Sequence, residues 1–195
     1  MKFYMKLQDW VAGPFSQKMQ KFMQNPYMHA LQVCFTIILP MIMVGSLASL
    51  VNTFRNFAPW LPDLSLINSF SFGLISIFMA FLIPYTIMES KKLQKQKMIT
   101  GFASVSALIA LANPQYVDGN LVINSGYVGT GGMTVAMVMG LVIGWLFSAY
   151  FKHGLFKKDS SLPSVVVVWF ESILIIFVLI LVCIIIGQNV DLFSL

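Results

Sequence analysis

The sequence predicts an all-α integral membrane protein with about five transmembrane helices, on three observations. There are five long apolar runs, only 10% of residues are charged, and the basic residues are confined to alternate gaps between the runs. An average soluble domain carries roughly 25% charged residues. Here 58% of the chain is hydrophobic, more apolar surface than a soluble core calls for. Lys2, Lys6, Lys18 and Lys21 precede the first run; Lys91, Lys92, Lys95 and Lys97 separate the second from the third; Lys152, Lys157 and Lys158 separate the fourth from the fifth. Arg55 alone departs from the pattern. Short cytoplasmic loops retain Lys and Arg, so the amino terminus is expected in the cytoplasm and the carboxyl terminus, after an odd number of crossings, outside.

The net charge of +5 raises nucleic acid as a partner, but the cations lie on one side and no stacking aromatics are interleaved with them. No nucleic acid is expected, and anionic lipid headgroups are the expected counter-charge.

Residues 1–28 read as a cytoplasmic amphipathic segment. Phe3, Leu7 and Trp10 recur at helical spacing, Gly13-Pro14 breaks the pattern, and Phe15, Met19, Phe22 and Met23 resume it with lysines opposite. Such pieces lie in the membrane interface rather than across it. Residues 29–187 read as a five-span membrane domain and 188–195 as a short external tail.

The first span, about residues 29–51, contains Pro40 followed by Gly45-Ser46, and the second, about 66–88, contains Pro84 near its inner end. Kinks are expected at both prolines, because each removes a backbone donor that other groups must replace within lipid. The loop between them holds Pro59, Trp60 and Pro62, an outer connection with an aromatic anchor. The third run, 98–112, is short: at 1.5 Å per residue it spans about 22 Å against a hydrocarbon layer of roughly 30 Å. Counting it as a crossing keeps Lys152, Lys157 and Lys158 inside, and lysines at its start can snorkel to lengthen it. After it, residues 121–123 lie between Asp118-Gly119-Asn120 and Asn124-Ser125-Gly126, an extended, turn-flanked outer tip.

In the fourth span, about 132–151, Gly132, Ala136, Gly140, Gly144 and Ser148 recur every fourth residue. A small-residue face lets two helix backbones approach closely, and packing of this kind drives helix association in lipid. The spacing serves packing within one chain and a subunit interface equally. The fifth span, 165–187, is apolar apart from Glu171, Ser172 and Cys183. A carboxylate in a span costs about 2.5 to 3.5 kcal/mol on insertion scales unless compensated, which makes Glu171 a candidate intramembrane polar site.

No catalytic residue, cofactor-binding residue or metal ligand set is expected. His29 and His153 sit at predicted inner boundaries with no base, nucleophile or carboxylate at useful spacing. Gly129-Thr130-Gly131-Gly132 lacks the lysine and hydroxyl that end a phosphate loop, and reads as a tight helix entry. Cys34 and Cys183 fall inside spans and read as small apolar residues.

Four stretches, taken in order, resemble enzyme IIC of the bacterial phosphotransferase system, in its lactose/cellobiose branch. They are Leu39-Pro40-Met41-Ile42-Met43-Val44-Gly45-Ser46, Ile83-Pro84-Tyr85-Thr86-Ile87-Met88-Glu89-Ser90, Gly126-Tyr127-Val128-Gly129-Thr130-Gly131-Gly132 and Leu162-Pro163-Ser164-Val165. The resemblance covers nearly the whole chain but only the amino-terminal half of the family pattern, whose members run to roughly ten spans. It implies a scaffold domain, a homodimer or association with another membrane subunit, and a bacterial cytoplasmic membrane location. It also implies sugar held beside a histidine and a glutamate of later spans that have no counterpart here, and a IIB partner on the cytoplasmic side once that half is supplied. Gln32 stands where the pattern commonly has arginine, Ile175 where proline often interrupts the fifth span, and Glu171-Ser172 also departs from it.

Two functions follow. One is the scaffold and dimerisation half of a IIC-type sugar transporter, and the other a stand-alone membrane protein that associates with a full-length transporter. A channel or an enzyme fits poorly, for want of pore-lining or catalytic polar residues.

Overall fold

The computed structural model describes residues 16–153 and 164–189. Within them lie α1 (Ser16–Met23), α2 (Pro26–Phe54), α3 (Ser65–Ser71), a 3₁₀ turn (Phe72–Leu74), α4 (Ile75–Ser90) and α5 (Lys97–Leu111). A hairpin of β1 (Gln115–Val117) and β2 (Asn120–Val122) follows, then α6 (Ser125–Val128), a second 3₁₀ turn (Thr130–Gly132), α7 (Met133–His153) and α8 (Ser164–Asn189). The chain is an all-α integral membrane protein. Four helical stretches are long and apolar enough to cross a bilayer, Pro26–Phe54, Ser65–Ser90, Thr130–Lys152 and Trp169–Asn189, and the fifth, Lys97–Leu111, is shorter. Of the amphipathic segment, α1 is described; Phe3, Leu7, Trp10 and Gly13-Pro14 lie outside the described residues, as do Lys157, Lys158, Leu162-Pro163 and the tail beyond Asn189.

The first membrane helix starts earlier than its apolar run. Asn25 caps it, its side chain accepting the Tyr27 N–H at 3.0 Å, with Pro26 where a missing N–H costs nothing. Residues 26–28 therefore belong to α2. The helix runs unbroken through Pro40, and α4 runs unbroken through Pro84. Regular α-helix in the second span gives way to a 3₁₀ turn at Phe72–Leu74, where the bundle brings in two neighbours. Gly45 of α2 is seated against Phe72 and Ser71: a Cβ there would lie 2.6 Å from each. Gly73 meets the glycine-rich loop, its Cα 3.4 Å from where a Gly129 Cβ would stand.

Contacts between the helices give their directions. Tyr27 at the start of α2 meets Lys91 at the end of α4, and Gly45 meets Ser71 and Phe72 before its start, so the two run antiparallel. α5 is also antiparallel to α4: Lys97 pairs with Glu89 at 2.7 Å, and Phe102 packs edge-on against Phe81 with ring centres 5.2 Å apart. α7 runs parallel to α4, with Gly132 beside Ser76, Gly140 beside Ile83 and Gly144 beside Ile87. α8 begins beside the end of α7, where the Tyr150 hydroxyl donates to the Glu171 carbonyl, and ends with Gly187 against the last carbonyls of α5. The chain therefore travels the full length of α4 between residue 91 and Gly129, and α5 is the helix that makes the return.

α4 is the centre of the bundle. Ile75, Met79, Ala80, Ile83, Ile87 and Met88 are all buried, together with Ala30, Cys34 and Ile38 of α2, Leu108 of α5 and Ala136 of α7. A second cluster joins Ala103 and Ala107 of α5 to Ile143 and Phe147 of α7 and Ile175 of α8. α2 and α8 instead present broad apolar faces outward, among them Leu39, Met43 and Leu47 on the one and Ile173, Phe177 and Val178 on the other. A helix apolar on both sides suits lipid on one face and protein on the other.

At the end of the bundle where α5 stops, the extended tip is one strand of a hairpin whose partner is Gln115–Val117, with Tyr116 opposite Leu121. Asp118 and Gly119 both have positive φ, 50° and 79°, the turn that matches strand twist in a two-residue loop. Arg55, the one cation outside the lysine pattern, pairs with Asp63 at 3.0 Å.

Candidate functional site

Packing along the α4–α7 seam accounts for the small-residue stripe. In two parallel helices a four-residue repeat on one meets a four-residue repeat on the other. Gly140 lies against Ile83, where a Cβ would stand 3.1 Å from the Ile83 Cβ and 3.4 Å from the Pro84 Cδ. Gly144 lies against Ile87, its absent Cβ 3.2 Å from the Ile87 Cβ, and Ala136, one turn before Gly140, is fully buried. Ser148 closes the row by accepting a hydrogen bond from Lys91 Nζ at 2.7 Å. All five residues of the stripe thus face a helix of the same chain or the loop before α7.

The opposite end of the seam is locked by backbone. The Ser76 hydroxyl donates to the Gly129 carbonyl, and Gly132 sits so close to the Tyr127 carbonyl that no Cβ fits between them. The glycine-rich stretch is therefore a tight helix entry: Asn124 caps α6 by accepting the Gly126 N–H at 2.9 Å, and the Thr130–Gly132 3₁₀ turn redirects the chain into α7.

At the other end, α4 stops in a Schellman arrangement. The Lys92 N–H reaches the Glu89 carbonyl at 3.0 Å and the Leu93 N–H reaches the Met88 carbonyl at 2.9 Å, with Lys92 in the left-handed region at φ 63°. This cap holds Lys91 toward the bundle, where its ammonium donates to the Tyr27 hydroxyl at 2.7 Å as well as to Ser148. It also stands 4.6 Å from the centre of the Tyr27 ring, a cation–π contact. Sequence reading assigned these lysines to a loop and gave no sign of their partners, because Tyr27, Lys91 and Ser148 are far apart in the chain.

Glu171 is buried on α8, with its carbonyl accepting from Tyr150 at 3.1 Å, and Ser172 beside it is buried too. The described residues hold no cluster of three His, Cys, Asp or Glu. Cys34 and Cys183 are both buried and unbridged, on α2 and α8. His29 is exposed on the first turns of α2, and the side chain of His153 lies outside the described residues.

Outside the spans, the Asp63 carboxyl is held below the usual aspartate range, first by the Ser65 N–H at 2.9 Å and the Ser65 hydroxyl, then by the Arg55 charge. That arrangement ties the outer loop to the start of α3, where Asn52 also accepts the Leu64 N–H at 2.9 Å.

These features define a multi-pass membrane protein whose ion pairs sit at helix ends and whose two core clusters are apolar, with Ser76, Thr86, Thr100, Ser104, Glu171 and Ser172 buried as well. Residues 32–194 match the family model described as Phosphotransferase system, EIIC. The chain belongs to the phosphotransferase system EIIC family, and so is a membrane component of sugar transport. EIIC domains are transporter membrane components rather than catalytic enzymes, and typically associate with IIB components. No curated protein and no solved structure gives a match.

Proposed function

We propose that residues 29–187 form the scaffold and dimerisation half of a IIC sugar transporter of the lactose/cellobiose class. Residues 1–28 lie on the cytoplasmic face of a bacterial membrane, and the chain from 188 onward continues on the outer side. The observation that carries this reading is the filling of the bundle. The core between α2, α4, α5 and α7 is built from Ile38, Met79, Ile83, Ile87, Leu108 and Ala136, and the buried hydroxyls of α4 and α5, Ser76, Thr86, Thr100 and Ser104, are few against the many hydroxyls of a sugar. A transport site in membrane carriers is built near the midplane from broken helices and inward polar groups. In this reading the sugar-gripping half comes from further spans, on the same polypeptide or on a separate one, and moves against this scaffold. The outward faces of α2 and α8 are then the surfaces left for that half and for a second scaffold copy.

The test is sugar binding by residues 1–195 alone. Purified in detergent and titrated with lactose, cellobiose and larger oligosaccharides by calorimetry, the chain is expected to give no saturable heat. Saturable binding at defined stoichiometry overturns the scaffold reading. Co-purification with a membrane polypeptide carrying the remaining spans supports it, whereas stable pairing only with an already complete transporter points to an accessory protein.

A further inference from the structure

We propose that the lysine-bearing end of the α4–α7 seam is a binding site for the phosphate of an anionic phospholipid headgroup. A cavity of about 470 Å³ opens there, lined by Lys91 and Leu93 from the end of α4 and by Trp145, Ser148, Ala149 and Lys152 from α7. Its two lysines come from different helices. Lys152 follows Ser148 by one helical turn on α7, so it lines the same cavity as the residue that holds Lys91.

Lys91 is placed as a ligand-binding lysine is placed. Tyr27 and Ser148 take two of its three N–H donors, both at 2.7 Å, and fix the ammonium without neutralising it. Ser148 directs its own hydrogen to the Trp145 carbonyl at 2.8 Å and so offers Lys91 only an acceptor. Both ion pairs among the described residues, Arg55 with Asp63 and Lys97 with Glu89, leave Lys91 and Lys152 out. The third Lys91 donor and the Lys152 ammonium remain for an anion.

Two helix carboxyl ends also meet here, each worth about −0.5 of a charge, which opposes an anion. The opposition is outweighed: two lysines carry about +2 against about −1 from the two ends. Moreover, the α4 carbonyls of Met88 and Glu89 are covered by the Leu93 and Lys92 N–H groups. What distinguishes a lipid from a soluble phosphate is the wall beside the cations. Trp145 is 57% exposed, and with Leu93 it gives the site an apolar lip at the membrane boundary. Indole rings favour that depth, and basic pockets between membrane helices take up anionic headgroups.

The chain is reconstituted in nanodiscs of phosphatidylcholine containing a titrated fraction of phosphatidylglycerol, and retained lipid is counted by native mass spectrometry after extraction. The expected result is one phosphatidylglycerol held in preference to phosphatidylcholine. Each of Lys91→Gln and Lys152→Gln lowers that preference about fivefold, and the pair about 25-fold. The Lys91→Arg/Lys152→Arg pair keeps most of the preference, and Arg55→Gln at the far end leaves it unchanged. Lys152 makes no bond that holds the fold, so Lys152→Gln reads the site even where Lys91→Gln weakens folding. Equal retention of the two lipids, or phosphatidylglycerol held as well by Lys152→Gln as by the unaltered chain, overturns the proposal. Displacement of the lipid by millimolar inorganic phosphate assigns the site to a soluble phosphate and overturns the lipid source.

Discussion

Substitution of Gly140 by valine, made alone and together with Ile83→Ala, tests the parallel seam at its Gly140–Ile83 layer. A Cβ at residue 140 would stand 3.1 Å from the Ile83 Cβ, 3.2 Å from its Cγ2 and 3.4 Å from the Pro84 Cδ. None of these is the loose end of a flexible side chain: two are anchored at the branch of a β-branched residue and the third is in a ring. The clash therefore has to move backbone. Removing glycine from a helix returns at most about 1 kcal/mol in propensity, whereas overpacking a filled layer costs about 1 to 3 kcal/mol and valine adds two further carbons to it. Gly140→Val is expected to destabilise by about 2 kcal/mol on balance. Ile83→Ala alone removes buried carbons, a loss of about 2 kcal/mol or more. Together they exchange volume across one contact, so the double variant is expected to be at least about 1 kcal/mol more stable than the sum of the singles. The assay is equilibrium unfolding in mixed micelles with rising SDS, followed by circular dichroism. Val142→Leu, on the exposed side of α7, serves as the control for a change of volume facing lipid. Strict additivity of Gly140→Val and Ile83→Ala, or destabilisation by Val142→Leu as large as by Gly140→Val, would refute the reasoning.

Other outcomes follow from single contacts. Lys92 holds the left-handed position of the α4 cap, where glycine is the easier residue, so Lys92→Gly is expected to raise stability by about 1 kcal/mol in the same SDS titration. Ser76→Ala removes the donor to the Gly129 carbonyl; the Gly132 N–H still reaches that oxygen at 3.2 Å, which limits the expected loss to about 1 kcal/mol. Asp63 has a lowered pKa in the folded chain, so its contribution to loop docking is fully present above the ordinary aspartate value of about 3.9 and is lost as pH falls through the folded value. Proteolysis of the 55–63 loop between pH 6 and pH 2 is expected to accelerate at the acid end, and Asp63→Asn is expected to flatten that limb. Single cysteines at Asp118 and Lys95 are expected to react with impermeant maleimide from opposite sides of the membrane. Labelling of both from one side would remove α5 as a crossing.

Which parts of this were legible beforehand depends on how far apart in the chain the interacting residues lie. Apolar length and lysine placement are local properties. They suffice for the helical spans, for the direction in which each is expected to cross, and for the small-residue stripe, since a four-residue repeat is visible within one helix. The kinks expected at Pro40 and Pro84 are a local reading of the same kind, and both prolines lie inside continuous helices. The 3₁₀ turn at Phe72–Leu74 has no such local sign, because Gly45 and Gly129 approach it there from other parts of the chain.

By itself, then, the sequence determined that this is a helical membrane protein and which faces of its helices are small or apolar, because lipid imposes its demands on each helix separately; the IIC resemblance rested on four short stretches in order. The tertiary structure decided what those faces meet. It set the stripe of α7 against Ile83 and Ile87 of a parallel neighbour and gave Arg55 its carboxylate. It also gathered Tyr27, Lys91 and Ser148 at one end of the bundle, since only packing brings side chains separated by dozens of residues within a few ångströms.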